Sequence, residues 1–197
     1  MRISGALFAA LLGVLSSTAF AGNDGERFTS YAGFQLGVGT LDDVQHRLGA
    51  ADAVHSGDGG ESGTRICYRV PDGVISFLAG EIGGESELTG FSISTAPRRE
   101  CASWPSGRPI PAMSVSGLRP GMTKQQFESM VGVQVDWQKD GNGYAFFESR
   151  RKPIQEELAL LPADIRGDAM YDVSVTVTGS FAHGKLAEIE VWKVETY

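Results

Sequence analysis

The sequence predicts an α+β protein of two tandem units, each with short helices packed on an antiparallel β-sheet. The main observation is a pattern at residues 40–49 that returns at residues 123–132: a Thr, apolar residues four and eight positions later, and then a Gly. Each copy leads into short segments in which apolar and polar residues alternate, as is typical of β-strands. A repeated order of helix and strands favours two similar units that share a core.

Both copies of the pattern carry helix-capping signals. Thr40 with Asp43, and Thr123 with Gln126, have the spacing of a capping box, in which the Thr hydroxyl accepts a hydrogen bond from a backbone N–H at the helix start. The Gly that ends each copy favours helix termination. Helices of two to three turns are not stable alone in water, so we expect both to pack on a sheet.

Seven segments are predicted to be strands because apolar residues alternate or cluster between turn signals. They are residues 65–70, 74–78, 88–95, 133–137, 144–150, 171–181 and 186–194. The sequences Pro71-Asp72-Gly73 and Asp140-Gly141-Asn142-Gly143 are typical of tight turns. These segments place the first unit at residues 28–96 and the second at residues 113–197.

Two further segments do not fit the repeat. Residues 97–112 hold four prolines and are expected to be a stiff Pro-rich linker. Residues 152–170 are an insertion in the second unit, with a short helix predicted at residues 154–161. Long insertions at hairpin tips are often functional or disordered, which makes this one a candidate partner-contacting element.

The first residues are expected to be a secretory signal peptide, residues 1–21. Arg2 supplies the positive start, residues 6–15 are apolar, and Ala19-Phe20-Ala21 fits a cleavage site. The alternative is a retained anchor, but the apolar run is too short for a bilayer core of about 30 Å. We therefore expect a periplasmic or secreted protein with no membrane span.

The net charge bears on the class of partner, and the two cysteines bear on a disulfide bond. The formal net charge is −7, which disfavours nucleic acid because phosphate binding depends on clustered Lys and Arg. The basic clusters, residues 98–99 and 150–152, are small and are expected to be solvated strand ends. Cys67 and Cys101 are the two cysteines of the chain, and in an oxidising compartment an isolated pair predicts a disulfide bond.

No catalytic, metal or cofactor site is predicted. The three histidines, His46, His55 and His183, lack a second ligand at metal-binding spacing, and no G-x-S-x-G motif marks a nucleophile. A catalytic triad can assemble from any chain order. The alternative function is therefore a small envelope-polymer hydrolase with His46 or His183 as base.

Five residues are tentative partner-binding residues. Trp104 lies in the Pro-rich linker, and Trp137 and Tyr144 lie just before and just after a turn. An exposed aromatic side chain at such places can anchor an interface, although packing beneath the linker and the turns is the alternative. Glu156 and Glu157 lie in the insertion, where a solvated helix face is the alternative. Four other aromatic residues are expected in the core: Phe91, Phe127, Phe147 and Trp192.

Part of the second unit resembles a known family. Residues 118–123, followed by Phe127 and Val131-Gly132, resemble the start of the small envelope lipoproteins called SmpA/OmlA, and residues 181–186 are similar to their closing hairpin. Two such units in tandem resemble the β-lactamase inhibitory protein fold. The resemblance implies helices on an antiparallel sheet, with protein binding as the usual activity.

The leading hypothesis is thus a secreted or periplasmic, non-enzymatic protein-binding module. It would act as an enzyme inhibitor or an envelope assembly factor, with another protein of the envelope or extracellular space as its partner and no cofactor. A purely structural domain and a small-ligand carrier stay open as further alternatives.

Overall fold

A nine-stranded β-sheet runs through the described part of the chain. The computed structural model describes residues 24–57, 62–80 and 86–196, so the predicted signal peptide, residues 1–21, lies outside the described residues. A short two-stranded ribbon lies apart from this sheet.

The strands and helices have the following bounds. The strands are β1 (Ser30–Tyr31), β2 (Phe34–Gln35), β3 (Val54–Ser56), β4 (Gly63–Val70), β5 (Gly73–Gly80), β6 (Gly90–Ser94), β7 (Ala102–Ser103), β8 (Val135–Trp137), β9 (Gly143–Arg151), β10 (Tyr171–Ala182) and β11 (Lys185–Thr196). The helices are α1 (Leu41–Leu48), α2 (Lys124–Val131) and α3 (Gln155–Leu160), preceded by a 3₁₀ turn at Gly25–Phe28. All seven predicted strands are present, and the structure adds β1, β2, β3 and β7.

The order of strands across the sheet is β3-β4-β5-β6-β11-β10-β9-β8, with neighbours antiparallel. Strand β7 pairs with β4 in the parallel direction, and β1 with β2 forms the separate ribbon. Apart from β7, each half of the chain contributes a capped helix and then four strands. The last strands of the two halves, β6 and β11, lie side by side in the middle.

The predicted fold class, two α+β units of short helices packed on a sheet, is wrong. Strands take 43% of the described residues and helices only 16%, and the strands form one continuous antiparallel sheet rather than one sheet per unit. The physical reason is the pairing of β6 with β11, which satisfies backbone groups that would otherwise be exposed at two sheet edges. The helices of eight residues cover only part of this sheet.

Both predicted helix starts are confirmed. Thr40 Oγ1 accepts a hydrogen bond from the Asp43 N–H at 3.1 Å, and Asp43 Oδ2 accepts one from the Thr40 N–H at 2.9 Å. Thr123 and Gln126 form the same pair of bonds at 3.2 and 2.9 Å. Within the described residues, no helix is long and apolar enough to cross a membrane.

The core lies between one face of the sheet and the helices. Phe91, Phe127 and Phe147 are buried there, as predicted. Phe127 of α2 packs directly on Gly179 of β10, since a Cβ at that position would lie 2.9 Å from its ring. This close approach brings α2 down onto the strands, so the helices occupy one face of the sheet.

The predicted disulfide between Cys67 and Cys101 is confirmed. It fastens residues 95–103, here called the strap, to strand β4. Strand β7 in the strap also pairs with β4, and Cys101 packs with Cys67 and Val74 in a small apolar cluster. The first part of the segment expected to be a linker is therefore held against the sheet.

Replacing both cysteines by Ser should lower the free energy of unfolding by up to about 4 kcal/mol, because the bridge closes a loop between residues 34 apart in sequence. Urea denaturation of the oxidised protein and of the double variant measures the difference. After reduction with dithiothreitol, the wild type should unfold at the same urea midpoint as the double variant. Equal stability of the oxidised wild type and the double variant would contradict the stabilising role of this bridge.

Candidate functional site

The face of the sheet opposite the helices is the candidate site, and we call it the open face. Side chains alternate between the two faces of a strand. Along β9, Ala145 and Phe147 are buried in the core, so Tyr144 and Phe146 point to the other side. The same alternation assigns the residues of every paired strand to a face.

Cross-strand pairing arranges the open face in rows. One row, named here the aromatic row, contains Phe146, Thr176, Trp192, Gly90, Leu78 and Arg65. The next row, the polar row, contains Tyr144, Thr178, Glu190, Ser92, Ser76 and Cys67. Both rows cross the seam between β6 and β11, so both halves of the chain contribute to this face. The positions on β5 and β6, among them Leu78, Ser76 and Ser92, are buried, and the accessible part of the rows lies mainly on β9, β10 and β11.

An aromatic pair marks the β9 end of these rows. The rings of Tyr144 and Phe146 stack with centroids 6.3 Å apart and an interplanar angle of 10°. Phe146 is 56% exposed. A cavity of about 540 Å³ lies beside the pair, and Asp136 and Lys139 contribute to its lining. A large aromatic side chain left in water beside a cavity is typical of an interface anchor.

Trp192 lies in the middle of the aromatic row and is half-buried. Its ring covers Gly90 on the neighbouring strand, because a Cβ at Gly90 would lie 2.9 Å from ring atoms. Only glycine leaves this space, so the position of the Trp192 ring depends on Gly90. The indole Nε1 donates a hydrogen bond to Glu190 Oε1 at 2.7 Å, which connects the two rows.

Glu190 is the most perturbed acid of the open face. Its burial raises the pKa of the carboxyl group, the hydrogen bond from Trp192 opposes that rise, and the nearby charge of Glu188 adds to it. The positive charges of Arg98 and Arg65 act to lower it. Arg65 Nε is buried without a hydrogen-bond partner among the residues described.

The three tentative partner-binding aromatic residues do not lie on the same face of the sheet. Only Tyr144 lies on the open face. Trp137 lies on the helix side, where it packs against Phe181 with ring centroids 5.4 Å apart and donates to Glu128 at 2.6 Å. Trp104 packs edge-to-face on Tyr68, with centroids 6.0 Å apart. Both tryptophans are half-buried against the core.

The tentative acidic residues have different environments. Glu156 is exposed, whereas Glu157 accepts hydrogen bonds from Arg151 at 2.6 and 2.7 Å on both carboxylate oxygens. The hydrogen bond from Arg151 lowers the pKa of Glu157 to about 2. Arg151 also pairs with Glu195 of β11, so one guanidinium ties α3 to the sheet. Glu157 therefore has a visible structural role in placing the insertion.

The histidines do not gather at one place. His46, His55 and His183 are all exposed. His55 Nδ1 lies 2.9 Å from Thr64 Oγ1, while no hydrogen bond joins the side chain of His46 or His183 to another described residue. A search of the described ranges also finds no group of three His, Cys, Asp or Glu side chains arranged for a metal ion.

Sequence reasoning missed Phe146 and wrongly expected Trp192 in the core. A signal for both was present, because strict alternation places a strand residue on the face opposite its buried neighbours. Val191 and Phe147 are buried core residues. Their neighbours Trp192 and Phe146 must then point to the open face.

Replacing Glu190 by Gln should raise the thermal stability of the protein at pH 7. A carboxyl group whose pKa is raised on folding destabilises the folded state while it is ionised. The amide oxygen of Gln can still accept the Trp192 N–H. The difference in melting temperature should shrink as the pH falls from the raised pKa of the folded state towards the unfolded value of 4.5, and vanish below it. A variant less stable than the wild type at pH 7 would instead make Glu190 a stabilising ion-pair partner.

Acidification should release α3 before the sheet unfolds. Because the pKa of Glu157 is lowered from 4.5 to about 2, its contribution is present above pH 4.5 and lost as the pH falls towards 2. Hydrogen exchange of peptides over residues 152–161 measures this release. Glu157→Gln should show faster exchange already at neutral pH, and Glu156→Gln should behave as the wild type. Equal exchange in the two variants would show that Arg151 does not hold the helix.

Comparison with known proteins adds no relative. The chain matches no protein-family model, no curated protein and no solved structure. The resemblance of residues 118–132 to the start of SmpA/OmlA lipoproteins therefore stays a prediction.

Proposed function

We propose that this chain is a non-enzymatic protein-binding module that holds its partner on the open face. The observation that carries the proposal is the stacked pair of Tyr144 and Phe146, with Phe146 56% exposed, in rows that continue to Trp192. Burying an aromatic side chain of this kind stabilises a complex by roughly 2 kcal/mol when it lies near the interface centre. Aromatic residues are also enriched in such centres.

The chemistry of the open face favours a protein over other partner classes. It combines aromatic rings, hydroxyl groups such as Thr176 and Thr178, and charges of both signs from Glu190 and Arg65. Protein interfaces have this mixture of an aromatic centre with polar groups around it. A polyphosphate would meet a chain of net charge −7, which weakens its binding.

Two more specific proposals concern where the protein is located and what its binding achieves there. A structural disulfide persists in oxidising surroundings, which supports a periplasmic or secreted location. In that location the module would inhibit an extracellular enzyme or assist assembly of the envelope. The hydrolase alternative has less support, because His46 and His183 are exposed and have no described hydrogen-bond partner that would orient them.

Site-specific photo-crosslinking tests the proposal. A photoreactive phenylalanine in place of Phe146 should form a covalent adduct with one or a few proteins of the producing cell's envelope or medium, identified by mass spectrometry. The matched control carries the same residue at Val38, which is 77% exposed and precedes α1. The same adducts from both positions, or none from Phe146, would contradict binding at the open face.

Once a partner is isolated, Phe146→Ala should weaken its affinity by about thirtyfold, since truncation of an aromatic anchor costs roughly 2 kcal/mol. Isothermal titration calorimetry measures the change. The exposed ring contributes little to the core, so the melting temperature should stay near that of the wild type. Val38→Ala serves as the control for loss of an exposed apolar side chain elsewhere. An unchanged affinity in Phe146→Ala would exclude this ring as an anchor.

A further inference from the structure

The strap and the turn between β4 and β5 border a second pocket, which is open to solvent and has a volume of about 450 Å³. Three arginines line it, Arg69 from β4 and Arg98 with Arg99 from the strap, and the lining carboxylate is Asp72. Pro71 and Pro97 are exposed and add apolar surface, while the Val74 side chain beside them is buried. This arginine pocket is a basic and partly apolar site on a chain of net charge −7.

Arg69 of the pocket is held by neutral acceptors. Arg69 donates to the backbone oxygen of Arg99 at 3.5 Å and to Ser103 Oγ at 3.3 Å. Neither contact compensates its positive charge. In the ranges that the structure describes, Arg69 and Arg99 form no ion pair, and Arg98 reaches Glu188 only at 4.0 Å. Each guanidinium carries five N–H donors, so donors stay available for an anion.

The pocket is fastened on both sides. The disulfide from Cys101 to Cys67 and the pairing of Ser103 with Arg69 hold one end of the strap on β4. At the other end, the Thr95 N–H donates to the Ala187 carbonyl at 3.0 Å. A site held in place loses little conformational entropy when a ligand binds.

The pocket is also continuous with the open face. Alternation along β4 and β5 puts Arg69 and Val74, which lie opposite each other, on the same face as Cys67 and Ser76 of the polar row. Arg98 reaches Glu188, which precedes Glu190 by two residues on β11 and therefore shares its face. A partner seated on the open face can thus extend a segment into the pocket.

We propose that the arginine pocket binds the carboxyl-terminal end of the partner protein, with the carboxylate on the guanidinium groups and an apolar last side chain against Pro71 and Pro97. Arginine matches a carboxylate geometrically through paired N–H donors. The apolar wall next to the charge matches a carboxylate that sits beside an apolar side chain. This inference rests on the proposed function, because it specifies the chemistry of the partner segment.

Peptide binding to the full mature protein tests the inference. The probe is a fluorescein-labelled pool of short peptides with randomised positions, ending in Leu, Ile, Val or Phe with a free carboxylate. Fluorescence anisotropy should show binding that is at least about tenfold tighter than that of the same pool with amidated ends. The difference reflects the charge-assisted hydrogen bonds that the arginines donate to the free carboxylate.

Variants place the binding in the pocket. Arg69→Ala combined with Arg99→Ala should lower the affinity for the free-acid pool at least about tenfold, whereas Arg119→Ala, an exposed arginine outside the pocket, should leave it unchanged. Cys67→Ser with Cys101→Ser should also weaken binding, because it releases the strap. Circular dichroism checks that each variant is folded.

Several outcomes would overturn the inference. They are equal binding of acid and amide pools, no binding of either, insensitivity to the arginine variants, or equal affinity for amidated peptides with internal Asp or Glu. Competition by inorganic phosphate as strong as that by the free-acid pool would assign the pocket to a free anion instead. Crosslinking from position 146 reads out the proposed function separately, so adducts there without peptide binding would remove only the pocket assignment.

Discussion

The pairing of β6 with β11 is the interaction on which the rest of the structure depends. It places Phe91 opposite Val191 and Ile93 opposite Ile189, all four of them buried. These contacts join the apolar faces of strands β3–β6 and strands β8–β11 into one core. The same pairing aligns the other face, because the register that puts Phe91 opposite Val191 also puts Gly90 opposite Trp192.

The features predicted correctly from the sequence all have local signals. The capping boxes at Thr40 and Thr123 depend on residues three positions apart, and the turn at residues 71–73 depends on adjacent residues. The disulfide followed from the number of cysteines. The continuous sheet did not follow, because the partners in β6 and β11 are distant in the sequence and either strand would satisfy the same alternating pattern at an edge. Periodicity identifies strands, but it does not identify their neighbours.

The candidate site was predictable only in part for the same reason. Tyr144 was identified because it follows a turn, but the face on which a turn aromatic lies is decided by register. Trp137 pairs with Gly143, and a Cβ there would lie 2.6 Å from the Trp137 ring, so this ring folds over the strand on the helix side. To predict that Phe146 and Trp192 lie on the open face, strict alternation had to be applied from their buried neighbours. The arginine pocket could not be predicted, because it forms only where the strap lies on β4, and no local sequence pattern indicates that contact.

Under the proposed function, the open face gives a reason for joining the two halves. The aromatic pair belongs to β9 and the arginine pocket to β4 and the strap, which are five strand steps apart in the sheet order. Neighbouring strands lie about 4.8 Å apart, so the two features are separated by about 24 Å. A standard interface of roughly 800 Å² per partner reaches across that distance. A partner that contacts both features therefore crosses the β6–β11 seam, and neither half alone presents the complete surface.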